Sequence, residues 1–365
     1  MRRFHEPGEK PMSREARVRL DEDWRYLSRE EAADRLPSLA NALVPGGRAA
    51  GVLVPVVGDS QRVKLLPGDM AGPIRALVAG AEVSAMESGL RPEALRALEL
   101  EGVLRVTPPV SPARDCVEVA ADDDSISVAA LTWGATFRGL PAEQLTRRLY
   151  FFGRRPVTPQ WSRRLPDERS VARWLGLVEL QADLEGFRPL ARTRDTWVWR
   201  RWVRSRMPAA GKLYVCCVPQ DLPSAVRACI PALRHPAVTG FKLGFDLPTV
   251  LRPDKFILFL ADLEPARELA ERIASAFGPA EVHPLPFTAA ASAGGIVSMA
   301  ADPDDWAGRP ATIERASWRL HVCRVAAETL VANRNRSRVE QVAAALERLG
   351  LAGVDTSRWT WQETS

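Results

Sequence analysis

From Gly211 onward the chain alternates short apolar runs with amphipathic stretches. KLYVCCV, GFKLGF and KFILFLA are brief, rich in β-branched and aromatic residues and closed by turn residues, a pattern that predicts strands. SAVRACIPALRH predicts a helix interrupted near Pro231, and EPARELAERIASAF sets Leu269, Ile273 and Phe277 on one stripe with Gly278 as its stop. SWRLHVCRVAAETLVAN predicts a helix carrying Arg319, His321 and Arg324, and a last helix runs over Val339 to Leu349 before a tail at 351–365.

The first half has another texture. Residues 1–20 are charged and poor in apolar groups, which predicts a disordered arm. Asp21 to Leu43 reads as one or two amphipathic helices ending before Pro45-Gly46-Gly47, and GVLVPVVGD as a strand pair in which Pro55 argues for an edge. In residues 63–106 a first helix carries Ile74, Leu77 and Val78, and a short second one starts near Val83. A third opens at Pro92 with Leu95, Leu98 and Leu100, and Gly102 turns into the strand VLRV. Three short helices and a wing resemble a winged helix, and resemble the leader-peptide recognition module of ribosomal peptide modification systems, where a peptide adds to an edge strand. Arg91, Glu93, Arg96, Glu99 and Glu101 nearly cancel, which argues against a DNA-reading helix and leaves peptide docking or a purely structural module. A linker at Pro108 to Pro112 leads to CVEVA and ISVAAL, two strand candidates joined by an acidic hairpin turn at Asp122 to Ser125.

From Pro141 to Ala210 there are 15 arginines against 7 acidic residues, with Trp161, Trp174, Trp197, Trp199 and Trp202 among them. Prolines 156, 159 and 166 forbid one continuous helix, and TWVWRRWVRSR alternates as a strand does. Arginines stacked on aromatic rings suit single-stranded nucleic acid or a phosphopeptide; the reading preferred is a satellite core of tryptophans whose arginines reach outward.

Composition narrows the classes. At 365 residues the chain holds about two domains. No signal-peptide core and no run near the ~18 apolar residues of a membrane span is seen in this sequence, and the expectation is a cytoplasmic protein. Five cysteines without CxxC spacing and four scattered histidines leave no zinc pattern, and Cys216 and Cys217 read as small apolar strand residues. A net charge of +5 fits an acidic partner. Lysine use is the sharper signal: against 45 arginines there are five lysines, and Lys212, Lys242 and Lys255 all fall within 211–260. An ammonium loses its proton on desolvation far more readily than a guanidinium, so those positions suit chemistry arginine does not supply; chance clustering beside strands accounts for them as well.

The order Lys212-Leu213-Tyr214, Phe241-Lys242, Leu251-Arg252-Pro253-Asp254-Lys255 before FILFL, then Trp318-Arg319 and Arg324 resembles the lyase domains of class III lanthipeptide synthetases and the bacterial phosphothreonine lyase effectors, over about residues 211 to 325. The resemblance implies that Lys242 is the base that takes the α-proton of a phosphoserine or phosphothreonine. It puts Tyr214 where the family has a histidine acid, with His321 or His283 as other donors, and makes Lys212, Arg252, Lys255, Arg319 and Arg324 the phosphate-binding cations. It implies a carbon–oxygen lyase without metal or organic cofactor. No Gly-rich phosphate loop or HRD-type loop is present, so a separate kinase in trans would phosphorylate the precursor peptide.

The fold expected is therefore α+β. After the arm come a winged-helix-like peptide-recognition domain over 21–110, a basic, aromatic segment of helix and strand over 111–206, and a lyase-like α/β-mixed domain with an antiparallel or mixed sheet over 207–350. The function expected is a stand-alone phosphoserine/phosphothreonine lyase acting on a precursor peptide. Its rivals are a non-catalytic leader-peptide scaffold for a modifying enzyme and a nucleic-acid binder.

Overall fold

The computed structural model describes residues 16–43, 49–56, 63–78, 82–85, 87–107, 123–177, 180, 184, 186–189, 199–205, 209–302 and 317–362. The chain is mixed α/β with several antiparallel sheets, and it divides into two compact units, Met1–Pro112 with Pro156–Asp167, and Ala113–Arg155 with Glu168–Ser365. Residues 1–15 of the arm, the linker at 108–112 and the CVEVA strand lie outside the described residues.

In the first unit the elements run β1 (Arg17–Leu20), β2 (Trp24–Ser28), α1 (Arg29–Arg35), β3 (Gly51–Pro55), β4 (Lys64–Leu66), α2 (Gly68–Val78), β5 (Val83–Ser84), α3 (Pro92–Leu100) and β6 (Leu104–Thr107). Two three-stranded sheets, β5-β1-β6 and β2-β3-β4, share a core in which Val18, Leu53, Ile74, Leu77, Leu95 and Leu98 are buried. Several expectations change here. Arg17–Leu20 is a strand because Val18 fills that core. Trp24–Ser28 is a strand as well, since the helix starts only where Ser28 and Glu31 form a capping box. Val83 opens a strand paired with β1, not a helix. Pro55 stands in the central strand, not at an edge; it is the last residue there, and pairing with β4 has already ended at Leu53.

The second unit is built on a seven-stranded antiparallel sheet. Its elements are α4 (Asp123–Gly134), α5 (Ala142–Tyr150), β7 (Arg188–Pro189), β8 (Trp199–Val203), β9 (Gly211–Val215), α6 (Leu222–Leu233), β10 (Val238–Gly244), β11 (Phe256–Leu260), α7 (Ala266–Phe277), β12 (Ala289–Ala290), β13 (Val297–Ala301), α8 (Trp318–Ala332), α9 (Arg338–Leu351), β14 (Val354–Asp355) and β15 (Thr360–Trp361). The sheet order is β12-β13-β9-β11-β10-β8-β7, so it draws in two strands from the basic, aromatic segment upstream of residue 207. Helices cover both faces, which is why β9 and β11 are buried at every residue and read as unbroken apolar runs. On one face Ile257, Phe259 and Tyr214 join Leu131 of α4, Leu149 of α5, Val322 of α8 and Leu349 of α9 in one core; α6 and α7 pack on the other.

The acidic hairpin expected at Asp122 to Ser125 is not formed: Asp123–Gly134 is one helix, whose Ile126, Ala130 and Leu131 recur at helical spacing on its buried side. The helix carrying Pro231 is not interrupted there; α6 runs through it and ends at Leu233. After α9 the chain turns into the β14–β15 hairpin, and Trp359 at its turn is buried in the core.

Candidate active site

Partners across a ladder point their side chains to the same face of a sheet. Reading the register outward from β11, Ile257 pairs with Lys242 on β10 and Tyr214 on β9, and Phe259 pairs with Lys212. Lys242 pairs in turn with Arg201 on β8. One face therefore carries Arg201, Lys242, Tyr214 and Lys212, with Trp199 two residues before Arg201. Lys242 and Tyr214 are two strand spacings apart, about 10 Å at the backbone.

Lys242 is half-buried, with its Nζ 4.3 Å from the centre of the Trp199 ring. Among the described residues it has neither a hydrogen-bond nor an ion-pair partner. Burial pulls its pKa down; the Asp254 carboxylate opposes this, Arg252, Lys212 and Arg201 reinforce it, and the result is about 7. The amine is thus partly neutral at neutral pH.

The cations around it are nearly all committed. Arg252 donates Nε to Asp254 Oδ1 at 2.8 Å and a second guanidinium N–H to Oδ2 at 2.7 Å. Its guanidinium lies over Phe151 and over the same Trp199 ring, at 4.6 and 5.0 Å. Arg319 is wholly buried and donates to Asp254 Oδ2 at 3.1 Å, to the Pro286 carbonyl at 3.1 Å and to the Tyr150 carbonyl at 2.9 Å. Burial alone would raise the Asp254 pKa, but Arg252 and Arg319 hold it well below the usual carboxylate range. Lys212 donates to Asp302 Oδ1 at 2.6 Å, and Asp302 also accepts from the Trp318 N–H at the start of α8.

Lys255 is fully buried, donating to the Cys217 carbonyl and standing 3.2 Å from His283 Nδ1. His283 Nε2 lies 2.6 Å from the Gly153 carbonyl, which makes it the donor there and leaves Nδ1 to accept. Burial and Lys255 push His283 well below its ordinary pKa, so it is a neutral structural link. Tyr214 is 2% exposed and burial raises its pKa well above the usual phenol value. His321 stands on α8 with its ring 5.7 Å from that of Trp361, and Arg324 is exposed and pairs with Glu328 at 3.5 Å. Neither shares a hydrogen bond or ion pair with the Asp254 group. The structure thus gathers Lys242, Arg252 and Arg319 around Asp254 and Trp199 and sets Lys212 and Tyr214 on the same face. It seats Lys255 in a separate buried contact and leaves His321 and Arg324 along the helix.

Sequence reasoning passed over Asp254, Asp302, Trp199 and Arg201. The period-2 alternation of TWVWRRWVRSR was the available signal for the last two, because it puts Trp199 and Arg201 on one face of a strand. The carboxylates carry no such signal: Asp302 is brought to Lys212 by the pairing of β13 with β9. Among the described residues no group of His, Cys, Asp or Glu could hold a metal ion, and no helix is long and apolar enough to cross a membrane.

No family model matches the chain, and no curated protein matches it. Two solved structures of Pseudomonas syringae effector proteins are similar to it. One, from pv. syringae strain 61, is 19% identical with a TM-score of 0.42, covering 66% of this chain and 99% of that one. The other, from pv. tomato strain DC3000, is 16% identical with a TM-score of 0.44 and the same coverage.

Proposed function

We propose that the sheet face around Lys242 abstracts the α-proton of a phosphorylated serine or threonine in a peptide and expels its phosphate, leaving a dehydroamino acid. The observation that carries this reading is the half-buried amine of Lys242, without a hydrogen-bond or ion-pair partner among the described residues and with a pKa near 7, a value suited to a general base at neutral pH. In the step, Lys242 takes the α-proton, the C–H electrons become the Cα=Cβ bond, and the Cβ–O bond breaks with its electrons on the phosphate oxygen. A phosphate that enters as its monoanion leaves as hydrogen phosphate with no further proton, and its second pKa of about 6 makes that form available near neutral pH. This matters because Tyr214, deeply buried with a raised pKa, is a poor acid. The peptide would be a ribosomal precursor phosphorylated by a kinase in trans, and the first unit, with the open edges of its two three-stranded sheets, would hold its leader.

Incubation with phosphothreonine and phosphoserine peptides, followed by mass spectrometry, tests the proposal. Loss of one phosphoric acid is expected, and Lys242→Ala should lower the rate by roughly two to four orders of magnitude. No loss from any precursor-derived phosphopeptide sinks it.

One observation favours the binding-only alternative. Arg252 and Arg319 both face Asp254, and Lys212 faces Asp302, so three of the five cations named for phosphate already have carboxylate partners at this site. Under that reading the chain holds a peptide for a modifying enzyme, and Lys242→Ala leaves both peptide capture and the final product unchanged.

A further inference from the structure

If Arg252, Arg319 and Lys212 are committed to carboxylates, the substrate's phosphate needs another partner. Arg201 and Lys242 occupy directly opposed positions on neighbouring antiparallel strands. Like charges in that relation repel and destabilise a sheet. Ordinary surfaces relieve such a pair with a carboxylate, yet neither residue has a hydrogen-bond or ion-pair partner among the described residues. Each instead rests on an aromatic ring, Lys242 on Trp199 and Arg201 on Phe259, the latter at 4.5 Å from guanidinium carbon to ring centre. Stacking fixes the plane of a guanidinium while leaving its N–H edge free to face a ligand.

The position of Arg201 is set by the sheet as much as by its own side chain. Phe259 pairs with Gly240, which has no side chain to fill the space between β11 and β8 on this face. Arg201 reaches across that gap toward β11, and its charge is felt by both Lys242 and Lys212. It is also exposed, whereas Arg252 and Arg319 are 3% and 0% exposed. Of the three arginines facing this site, it is the one a solvent-borne phosphate reaches without breaking an ion pair.

We propose that Arg201 is the residue that grips the phosphate of the substrate, presenting its planar fork to two phosphate oxygens beside Lys242, while Arg252, Arg319 and Asp254 serve as a buried frame. This rests on the phosphopeptide reading above and adds to it the anchoring residue, an exposed arginine fork that takes the phosphomonoester in place of the cations already held by carboxylates. The fork-to-phosphate geometry is bidentate, so lysine is a partial substitute and glutamine none.

Binding of inorganic phosphate and of a phosphothreonine peptide to the full chain, measured by calorimetry at low and constant ionic strength, separates this proposal from the elimination chemistry, since neither measurement requires turnover. Arg201→Gln should weaken both ligands on the order of tenfold or more, with Arg201→Lys in between. The unphosphorylated peptide should bind all variants equally. Because Arg201 is exposed, its variants should keep the wild-type circular dichroism and melting temperature; if Gln unfolds the chain, the Lys variant carries the comparison. The proposal is overturned if Arg201→Gln binds both phosphate ligands within twofold of wild type, or if wild type fails to prefer the phosphorylated peptide. Should phosphate binding depend on Arg201 while no phosphopeptide loses phosphoric acid, the anchor stands and the lyase reading falls.

Discussion

Arg252 and Asp254, two residues apart in the chain, face each other through two parallel charge-assisted hydrogen bonds at 2.8 and 2.7 Å, both side chains all but removed from solvent. The Pro253 between them holds the turn that makes this geometry possible, and Arg319 closes the group from α8. A single carboxylate thus serves two buried guanidinium groups, and the group persists through hydrogen bonds to the Pro286 and Tyr150 carbonyls that occupy the rest of Arg319.

Removing that carboxylate leaves two buried cations facing each other. Asp254→Asn keeps the shape and one acceptor oxygen but not the charge, and breaking a buried ion group in this way costs roughly 3–5 kcal/mol. Urea denaturation should show a lower midpoint with an unchanged slope, whereas Arg324→Gln at the exposed Glu328 pair should change stability by less than about 1 kcal/mol.

Asp302 has two duties, one to Lys212 and one to the Trp318 N–H that begins α8. Asp302→Ala should lose a helix-capping contact worth about 0.5–2 kcal/mol and leave Lys212 without its carboxylate. Asp302→Asn keeps an oxygen for Trp318, so its smaller loss, read by the same denaturation, isolates the ion pair.

How far the sequence reaches is visible in these residues. FILFL and KLYVCCV read as strands because both their faces are covered, and Gly278 ends α7 in a left-handed conformation, φ 77°, that glycine adopts freely. The strand at Val83–Ser84 and the helix at Asp123–Gly134 escaped for opposite reasons. Two residues of strand are too short to show a period, and their partners on β1 lie 67 and 65 residues away in sequence, at Arg17↔Ser84 and Val18↔Val83. The acidic DDDS has the composition of a turn, yet the helical recurrence of Ile126, Ala130 and Leu131 just after it buries one side of a helix that starts at Asp123. At the site, the lysines stood out by rarity, but what each one faces is set by register and by distant turns. Lys242 meets Trp199 and Arg201 through the pairing of β10 with β8, a relation no local pattern contains.

Two glycines give opposite expectations. A Cβ on Gly240 would stand 2.6 Å from the Trp202 carbonyl oxygen, backbone that cannot rotate away, at the place where the β10–β11 register shifts. Gly240→Ala should therefore part β10 from β8, cost about 1–3 kcal/mol, and weaken phosphate binding by disturbing the Arg201–Lys242 opposition. A Cβ on Gly350, inside α9, meets nothing within 4 Å. Gly350→Ala should raise stability by roughly 0.5–1 kcal/mol, since alanine loses less backbone freedom in a helix. Thermal melts of the two variants beside wild type check both signs.

The pH dependence of stability carries the signature of Lys242. In the unfolded chain its pKa is about 10.4, and in the folded protein about 7. Between those values the unfolded state binds the proton that the folded state has released, so unfolding takes up a proton and stability rises with pH across that window. Below pH 7 the penalty of the buried ammonium is fully present; above about 10 it has vanished. Lys242→Met has no proton to exchange, so its denaturation midpoint, set against wild type, should be higher at pH 6 and converge with it toward pH 10. Carboxylates and the other buried lysines shape the absolute curve of both proteins, and the difference between the two removes them. Added phosphate should narrow the gap at low pH, because an anion beside Lys242 favours the ammonium in wild type and finds no such charge in the variant. A constant difference between the two proteins from pH 6 to 10 would mean that the amine titrates normally, and the base assigned to this site would have to be sought elsewhere.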